Sequence, residues 1–195
     1  MKSDIRSDLS SDRRRSQTAP AVALQTIVGT NKKDTLNGTD GGEDIIYGNN
    51  AKDMIYGLDG ADTIYGGNAD DMLFGGESAD SLFGERGDDQ LYGEQGEDYL
   101  DGGRGNDVLR GGLDDDTLLG GRGEDVFVFA LGEGTDTILD YGVGEDFIGL
   151  VGLTFQDLTI GQSGDDATIS SDGEVLAVLT GIDALTLNED VFNFV

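Results

Sequence analysis

An aspartate stands at every ninth residue through the middle of this chain, and this register constrains the fold more than any other feature. Two residues after each aspartate comes a large apolar residue, from Ile46 to Phe127. Five residues before each aspartate comes a glycine in nine of the ten units, and Thr39 is the exception. Such a short period is typical of a solenoid. The register aspartates are Asp44, Asp53, Asp62, Asp71, Asp80, Asp89, Asp98, Asp107, Asp116 and Asp125.

Each nine-residue unit combines a turn with a short strand. In Gly102–Arg110 the three glycines Gly102, Gly103 and Gly105 allow a tight reversal, and the last three residues favour a strand. Alternation along that strand turns Leu109 inward. One unit cannot bury its leucine alone, but two units form a coil, and coils stack about 4.8 Å apart. The sequence therefore predicts an all-β fold: a right-handed parallel β-roll with two sheets facing each other across an aliphatic ladder.

The repeats divide the chain into three segments. Residues 1–28 are expected to be a flexible leader, because residues 1–18 are polar, residues 19–28 are only mildly apolar, and both lie before the repeats. Their aspartates Asp4, Asp8 and Asp12 argue against a cleaved signal peptide. Residues 29–128 are expected to form the roll; the first unit is degenerate, and Gly38 is a one-residue insertion after it. Residues 129–195 alternate apolar and polar residues in short runs, which predicts a β cap.

Stacking the units would bring like charges together. The repeat block, 39–128, contains 23 acidic and five basic residues, and the chain has a net charge of −28. Because alternate units share an edge, five register aspartates would line each edge, and their repulsion would oppose stacking. A hard divalent cation with about six to eight oxygen ligands would relieve it. We therefore expect several Ca²⁺ ions as cofactors, with metal binding coupled to folding. Mg²⁺ demands a stricter octahedron and fits less well.

The candidate metal ligands are the ten register aspartates together with turn carbonyls. The third position of some units adds a side-chain oxygen at Asn50, Asp59 and Asn68. The fourth position is usually glycine, as a positive-φ turn requires, and a side chain there would strain the turn and weaken calcium binding. The exceptions at this position are Ala51, Ala69, Ser78 and Asp114.

The units resemble the calcium-binding repeat of RTX (hemolysin-type) proteins, G-G-x-G-x-D-x-U-x. Gly102–Arg110 and Gly120–Val128 match it at every fixed position if Phe127 counts as the large apolar residue. Segments after the repeats, 134–141 and 144–148, resemble the part that closes the roll in secreted RTX proteins. The final Asp190–Val195 is similar to an uncleaved type I secretion signal. The resemblance implies an extracellular, secreted protein that is exported by a type I system.

Composition and motifs argue against several other functions. The chain has no cysteine and no histidine, which removes thiol and imidazole chemistry. Its negative charge opposes binding to nucleic acid, and no apolar run reaches the roughly 20 residues of a membrane helix, so we expect no membrane insertion. The carboxylates are accounted for by calcium or solvent, and few residues precede the repeats. We therefore expect that the protein is not an enzyme.

The ninth position of the units carries aromatic residues that alternate between two outer faces. Tyr47, Tyr65 and Phe83 lie on one face; Tyr56, Phe74 and Tyr92 lie on the other. They either form a ladder that stabilises the sheets or offer a surface to polysaccharide or a cell-surface partner. Three interpretations stay open: a secreted calcium-binding β-roll, an extracellular adhesion or surface-layer module, and a secretion module that once followed an effector domain.

Overall fold

The protein is described by a computed structural model over residues 24–142 and 145–194, and these residues form a two-sheet β-solenoid. They contain no α-helix, only three short 3₁₀ helices, at Phe155–Asp157, Ala184–Thr186 and Glu189–Val191. None of the helices in the described ranges is long and apolar enough to cross a membrane. Residues 1–23 of the expected leader lie outside the described residues, as do Val143, Gly144 and Val195.

The first sheet takes one strand from each coil of the roll. Within the repeats its neighbouring strands are parallel and offset by one eighteen-residue coil, so that Ile46 lies opposite Ile64. Antiparallel pairing occurs only among the last three strands in its spatial order. The strands, in spatial order, are β1 (Gln25–Val28), β3 (Asp44–Asn50), β5 (Thr63–Asn68), β7 (Ser81–Arg86), β9 (Tyr99–Arg104), β11 (Thr117–Arg122), β13 (Asp136–Ile138), β17 (Glu174–Leu179), β16 (Asp166–Ser171) and β15 (Leu158–Ser163).

The second sheet takes the other strand of each coil and is parallel throughout. Leu73, for example, lies opposite Ile55 on one side and Leu91 on the other. Its strands, in spatial order, are β2 (Thr35–Asn37), β4 (Met54–Asp59), β6 (Met72–Glu77), β8 (Gln90–Gln95), β10 (Val108–Leu113), β12 (Val126–Phe129), β14 (Phe147–Leu150) and β18 (Phe192–Phe194).

The core is the aliphatic ladder between the two sheets. All ten apolar residues of the register are fully buried, and burying each of them contributes about 2 kcal/mol. Ile138 and Ile148 continue the ladder beyond the repeats. The predicted parallel β-roll is thereby confirmed. The ten residues are Ile46, Ile55, Ile64, Leu73, Leu82, Leu91, Leu100, Leu109, Leu118 and Phe127.

The start of the roll differs from the sequence expectation. Strand β1, Gln25–Val28, was assigned to the leader, but it pairs in parallel with β3 and its Ile27 packs against the core. A four-residue strand without a preceding repeat carries too little periodicity to be seen in sequence. Gly38 is not the inserted residue, because it takes the glycine position facing Asp44, so that the extra residue lies between Gly38 and Asp44.

The end of the roll is covered by an antiparallel hairpin. Strands β15 and β16 pair with each other, and β16 pairs with β17, which in turn extends the first sheet from β13. Ala167, Ile169 and Leu179 from this hairpin are fully buried. The last coil therefore buries its apolar side against an element of different topology, as end repeats of solenoids must.

Candidate metal sites

The ten register aspartates lie in two rows at the inner corners of the roll, one on each edge. Each is no more than 3% exposed. In both rows the backbone amide of one aspartate donates a hydrogen bond to Oδ1 of the aspartate in the next coil, as from Asp62 to Asp80 at 2.7 Å and from Asp71 to Asp89 at 2.6 Å. The first oxygen of each carboxylate is therefore fixed by the backbone of its neighbour.

The second oxygen of most of these carboxylates has no partner at all. In eight register aspartates Oδ2 is buried and accepts no hydrogen bond. Leaving a buried polar atom unpaired costs about 1–3 kcal/mol, and more when the group is charged. A row of such oxygens therefore needs an electropositive partner. The eight residues are Asp53, Asp62, Asp71, Asp80, Asp89, Asp98, Asp107 and Asp116.

Glycine at the first position of each unit lets this oxygen lie close to the backbone. A methyl group built on Gly66 would lie 2.7 Å from Oδ2 of Asp71 and 3.0 Å from the carbonyl oxygen of Gly84, one coil further along. The same relationship recurs at Gly102. A carboxylate oxygen and a carbonyl oxygen thus converge on a volume that any side chain would fill. Both are the hard oxygen ligands that calcium prefers, so these residues fit a calcium ion.

Burial raises the pKa of inner register aspartates above the usual value. At Asp71, Asp80 and Asp89 burial is the largest cause, the charge of neighbouring aspartates adds to it, and the amide hydrogen bond opposes it. The pKa rises to about 7 for Asp71 and to about 8 for Asp80 and Asp89. Near neutral pH, neutralisation of these carboxylates by protons or by a cation is therefore favourable.

No lysine or arginine of the described residues forms an ion pair with a register aspartate. The single ion pair within residues 24–142 and 145–194 joins Arg110 to Glu133. In the same ranges, no three acidic, histidine or cysteine side chains converge as a ready-made ligand cluster. A metal ion bound here would therefore depend on carbonyl oxygens as well as carboxylates.

The third-position candidates lie on the surface instead of in the inner rows. Asn50, Asp59 and Asn68 are all exposed. The amide of Asn68 donates to Oδ1 of Asn50 at 2.9 Å, and the amide of Asn50 donates to Oδ1 of Asn31 at 2.5 Å. These side chains form an amide ladder of their own, and a role for them as metal ligands stays a prediction.

The turns contain two positive-φ residues, of which the sequence indicated one. The fourth-position exceptions all have positive φ, for example 85° at Ala69 and 81° at Asp114. The second position has positive φ as well, and Leu58 at 82° and Glu94 at 80° occupy it without glycine's freedom. Because several units carry a side chain at the second position, sequence alone did not indicate that its backbone is left-handed.

Two further aspartates extend the rows and were missed from sequence. Oδ1 of Asp136 accepts the amide of Asp116, and Oδ1 of Asp146 accepts the amide of Asp125, each at 3.1 Å. Both residues are buried, at 3% and 6% exposed. The available signal was an aspartate two residues before a buried isoleucine. It was obscured because the spacing to the preceding row member widens to 20 and 21 residues from 18.

The sequence model of the RTX calcium-binding nonapeptide repeat matches this chain in five overlapping segments: 38–73, 65–100, 74–109, 92–127 and 101–138. Together they cover just over half of the chain. The protein belongs to this RTX family. The two rows of buried aspartates lie largely within these repeats, and calcium is the ion that the family binds. No curated protein matches the chain.

Solved structures that match the chain include an extracellular lipase and two subunits of an epimerase. The extracellular lipase LipA from Serratia marcescens is 17% identical with a TM-score of 0.52; the match covers 87% of this chain and 39% of the lipase. Two subunits of a mannuronan C5-epimerase from Azotobacter vinelandii also match. AlgE6R3 is 29% identical, with 65% and 78% of the two chains covered and a TM-score of 0.27. AlgE6R2 is 26% identical, with 86% and 91% covered and a TM-score of 0.32. The lipase supports the β-roll fold alone.

Proposed function

We propose that this RTX protein is an extracellular β-roll that folds when calcium binds between its stacked coils. The observation that carries the proposal is the set of eight buried Oδ2 atoms without a hydrogen-bond partner. For seven of the eight, all except Asp116, a carbonyl oxygen of the next coil approaches the same first-position glycine as Oδ2 does. Calcium would supply positive charge to both oxygens and so bind one coil to the next.

The residues of the chain prepare these sites in three ways. Backbone amides orient each carboxylate through Oδ1, as between Asp89 and Asp107 at 2.7 Å. First-position glycines let the carboxylate and carbonyl oxygens lie close to the backbone, and the aliphatic ladder packs between the two sheets. Because the aspartates of a row approach each other only when the coils stack, the sites do not exist in the unfolded chain. Calcium affinity is therefore folding free energy.

The test is a calcium titration of the purified chain followed by circular dichroism. We expect little β signal in chelator, a cooperative gain as calcium is added, and a much weaker response to magnesium. Equal β content in chelator and in calcium, after exhaustive removal of the ion, would contradict coupled folding.

We further propose that the chain works outside the cell, where calcium is abundant enough to complete the fold. Membership of the RTX family supports this location. Co-expression with a type I exporter should release the chain into the medium, and an exporter without ATPase activity should retain it. Retention with the active exporter would contradict this route.

Polysaccharide binding is a second candidate, supported by a cavity of about 180 Å³ beside Tyr47, Tyr65 and Asn68. The aromatic ladder itself favours a stabilising role, since Tyr47 and Tyr65 stack at 5.0 Å and only 6° apart. Rings stacked this way cover each other's faces and leave edges toward solvent. Changing Tyr47, Tyr65 and Phe83 to Ser should abolish glycan binding if this surface is used, and unchanged binding would exclude it.

A further inference from the structure

The first aspartate of each row differs from the eight that follow. Oδ2 of Asp34 accepts two hydrogen bonds from Thr30, from the amide at 2.6 Å and from Oγ1 at 2.8 Å. Oδ2 of Asp44 accepts the same pair from Thr39, at 2.7 and 2.9 Å. In both residues Oδ2 accepts two hydrogen bonds, whereas the same oxygen has no hydrogen-bond partner in the inner coils.

The turns that carry these threonines are also built differently. Thr30 and Thr39 each follow a glycine, Gly29 or Gly38, that faces the aspartate as the first-position glycines do. In the nine units that begin at Gly48 to Gly120, the second residue has a positive φ, from 70° at Glu85 to 123° at Gly76. Neither threonine has a positive φ. This difference in backbone accompanies the short hydrogen bonds from the threonine amide to the carboxylate.

A carboxylate oxygen in this state is a poor calcium ligand. The N–H and O–H hydrogens point at the oxygen, so their positive ends lie where a cation would have to approach. Two hydrogen-bond donors stabilise the negative charge of this oxygen, as a calcium ion would do in the inner coils. Asp34 and Asp44 also belong to the first coil that the structure describes, and the end repeats of solenoids differ from the inner ones.

We propose that Thr30 and Thr39 close the N-terminal coil without metal, so that Asp34 and Asp44 bind no calcium and the ions are confined to the inner coils. The proposal rests on the proposed function, because it assumes that the inner aspartates do bind calcium. It makes the first coil a calcium-independent cap on which the metal-bound coils stack. It also removes Asp44 from the ligands expected from sequence.

Two matched double variants test it, with bound calcium per chain counted by native mass spectrometry at saturation. Asp34→Asn with Asp44→Asn should retain the wild-type number of ions. Asp53→Asn with Asp62→Asn, the next residue in each row, should lose about two ions, one for each unpaired oxygen removed. Loss of ions from the first pair would overturn the proposal. Full retention by the second pair would instead overturn the proposed function.

A third variant keeps the proposal testable if the asparagine variants fold poorly. Thr30→Val with Thr39→Val removes the hydroxyl donors and preserves side-chain shape. It should bind as many ions as the wild type, while amide hydrogen exchange in β1 becomes about tenfold faster in calcium. A lower ion count would mean that the threonine hydroxyls are calcium ligands, and unchanged exchange would mean that they do not hold the cap; either result rejects the proposal.

Discussion

The backbone amide of Asp80 donates a 2.7 Å hydrogen bond to Oδ1 of Asp98, the register aspartate of the next coil. This bond engages Oδ1 of Asp98, so that Oδ2 is the oxygen left buried without a partner. Because every inner coil repeats it, the position of each carboxylate depends on the coil before it. Metal sites in the same row should therefore form cooperatively.

Removing one inner carboxylate should weaken calcium-dependent folding. We expect Asp89→Asn to raise the calcium concentration at the folding midpoint and to lower stability in saturating calcium by about 2 kcal/mol, because a charged ligand and a charge-assisted hydrogen bond are lost. The matched control is Asp165→Asn at an exposed position of the hairpin, which should leave the midpoint unchanged. Circular dichroism during calcium titration measures both. Equal midpoints would argue against Asp89 as a ligand.

Acid should partly replace calcium in the metal-free chain. Burial raises the pKa of Asp125 to about 6, of Asp71 to about 7 and of Asp80 to about 8, while unfolded aspartates titrate near about 4. A group whose folded pKa is raised contributes stability below its unfolded pKa, and this stability is lost as pH rises through the folded value. In chelator we therefore expect β structure to be gained as pH falls from about 8 to about 4.

The control for this pH effect is the Asp80→Asn variant. Asparagine is neutral at every pH, so the metal-free variant should hold its β structure to a higher pH than the wild type. The β signal of both chains is followed in chelator across the same pH range. Loss of β structure on acidification would contradict the proposed burial of charge.

A side chain at the first position of a unit should disrupt the calcium site beside it. A methyl group on Gly84 would lie 2.6 Å from Oδ2 of Asp89 and 2.5 Å from the carbonyl oxygen of Gly102. We expect Gly84→Ala to bind fewer calcium ions, as counted by native mass spectrometry. Gly132→Ala is the comparison, because its φ is 80° and nothing lies within 4 Å, so it adds only backbone strain of about 1 kcal/mol. A full ion count in Gly84→Ala would show that the space this methyl group takes is not part of a site.

The aliphatic ladder should be sensitive to truncation even when calcium is saturating. Leu91 is fully buried between its neighbours in the second sheet, so Leu91→Ala leaves a cavity and should cost about 2–5 kcal/mol. Leu185 is 92% exposed, and Leu185→Ala should change stability by less than about 0.5 kcal/mol. Urea denaturation in calcium measures both. Similar stability of the two variants would mean that the ladder is not the core.

Substitution by glycine should relieve the backbone strain at the fourth position of a unit. Ala69 has a φ of 85°, so Ala69→Gly should stabilise the calcium-bound form by up to about 1 kcal/mol and lower the calcium midpoint. Ala61 is similarly exposed but has no positive φ. Ala61→Gly should therefore destabilise by about 0.5–1 kcal/mol through the entropy of the unfolded chain. The prediction fails if both changes shift the midpoint in the same direction.

The architecture could be predicted because each unit is locally consistent. Alternation puts Leu109 inward, and the glycines around it permit the turn, so the same arrangement follows wherever the register repeats. The ends could not be predicted in this way. Strand β1 lies before the register, and Asp136 and Asp146 continue it with longer connections.

The sequence by itself determined the parallel roll, its apolar ladder and its two aspartate rows, because a nine-residue period fixes which side chains share a face. Tertiary structure decided which oxygen of each carboxylate remains without a partner. It also decided that Thr30 and Thr39 supply the partner at the first coil. These outcomes depend on the backbone angles of individual turns and on atoms one coil away, about which residue identity and spacing carry no information.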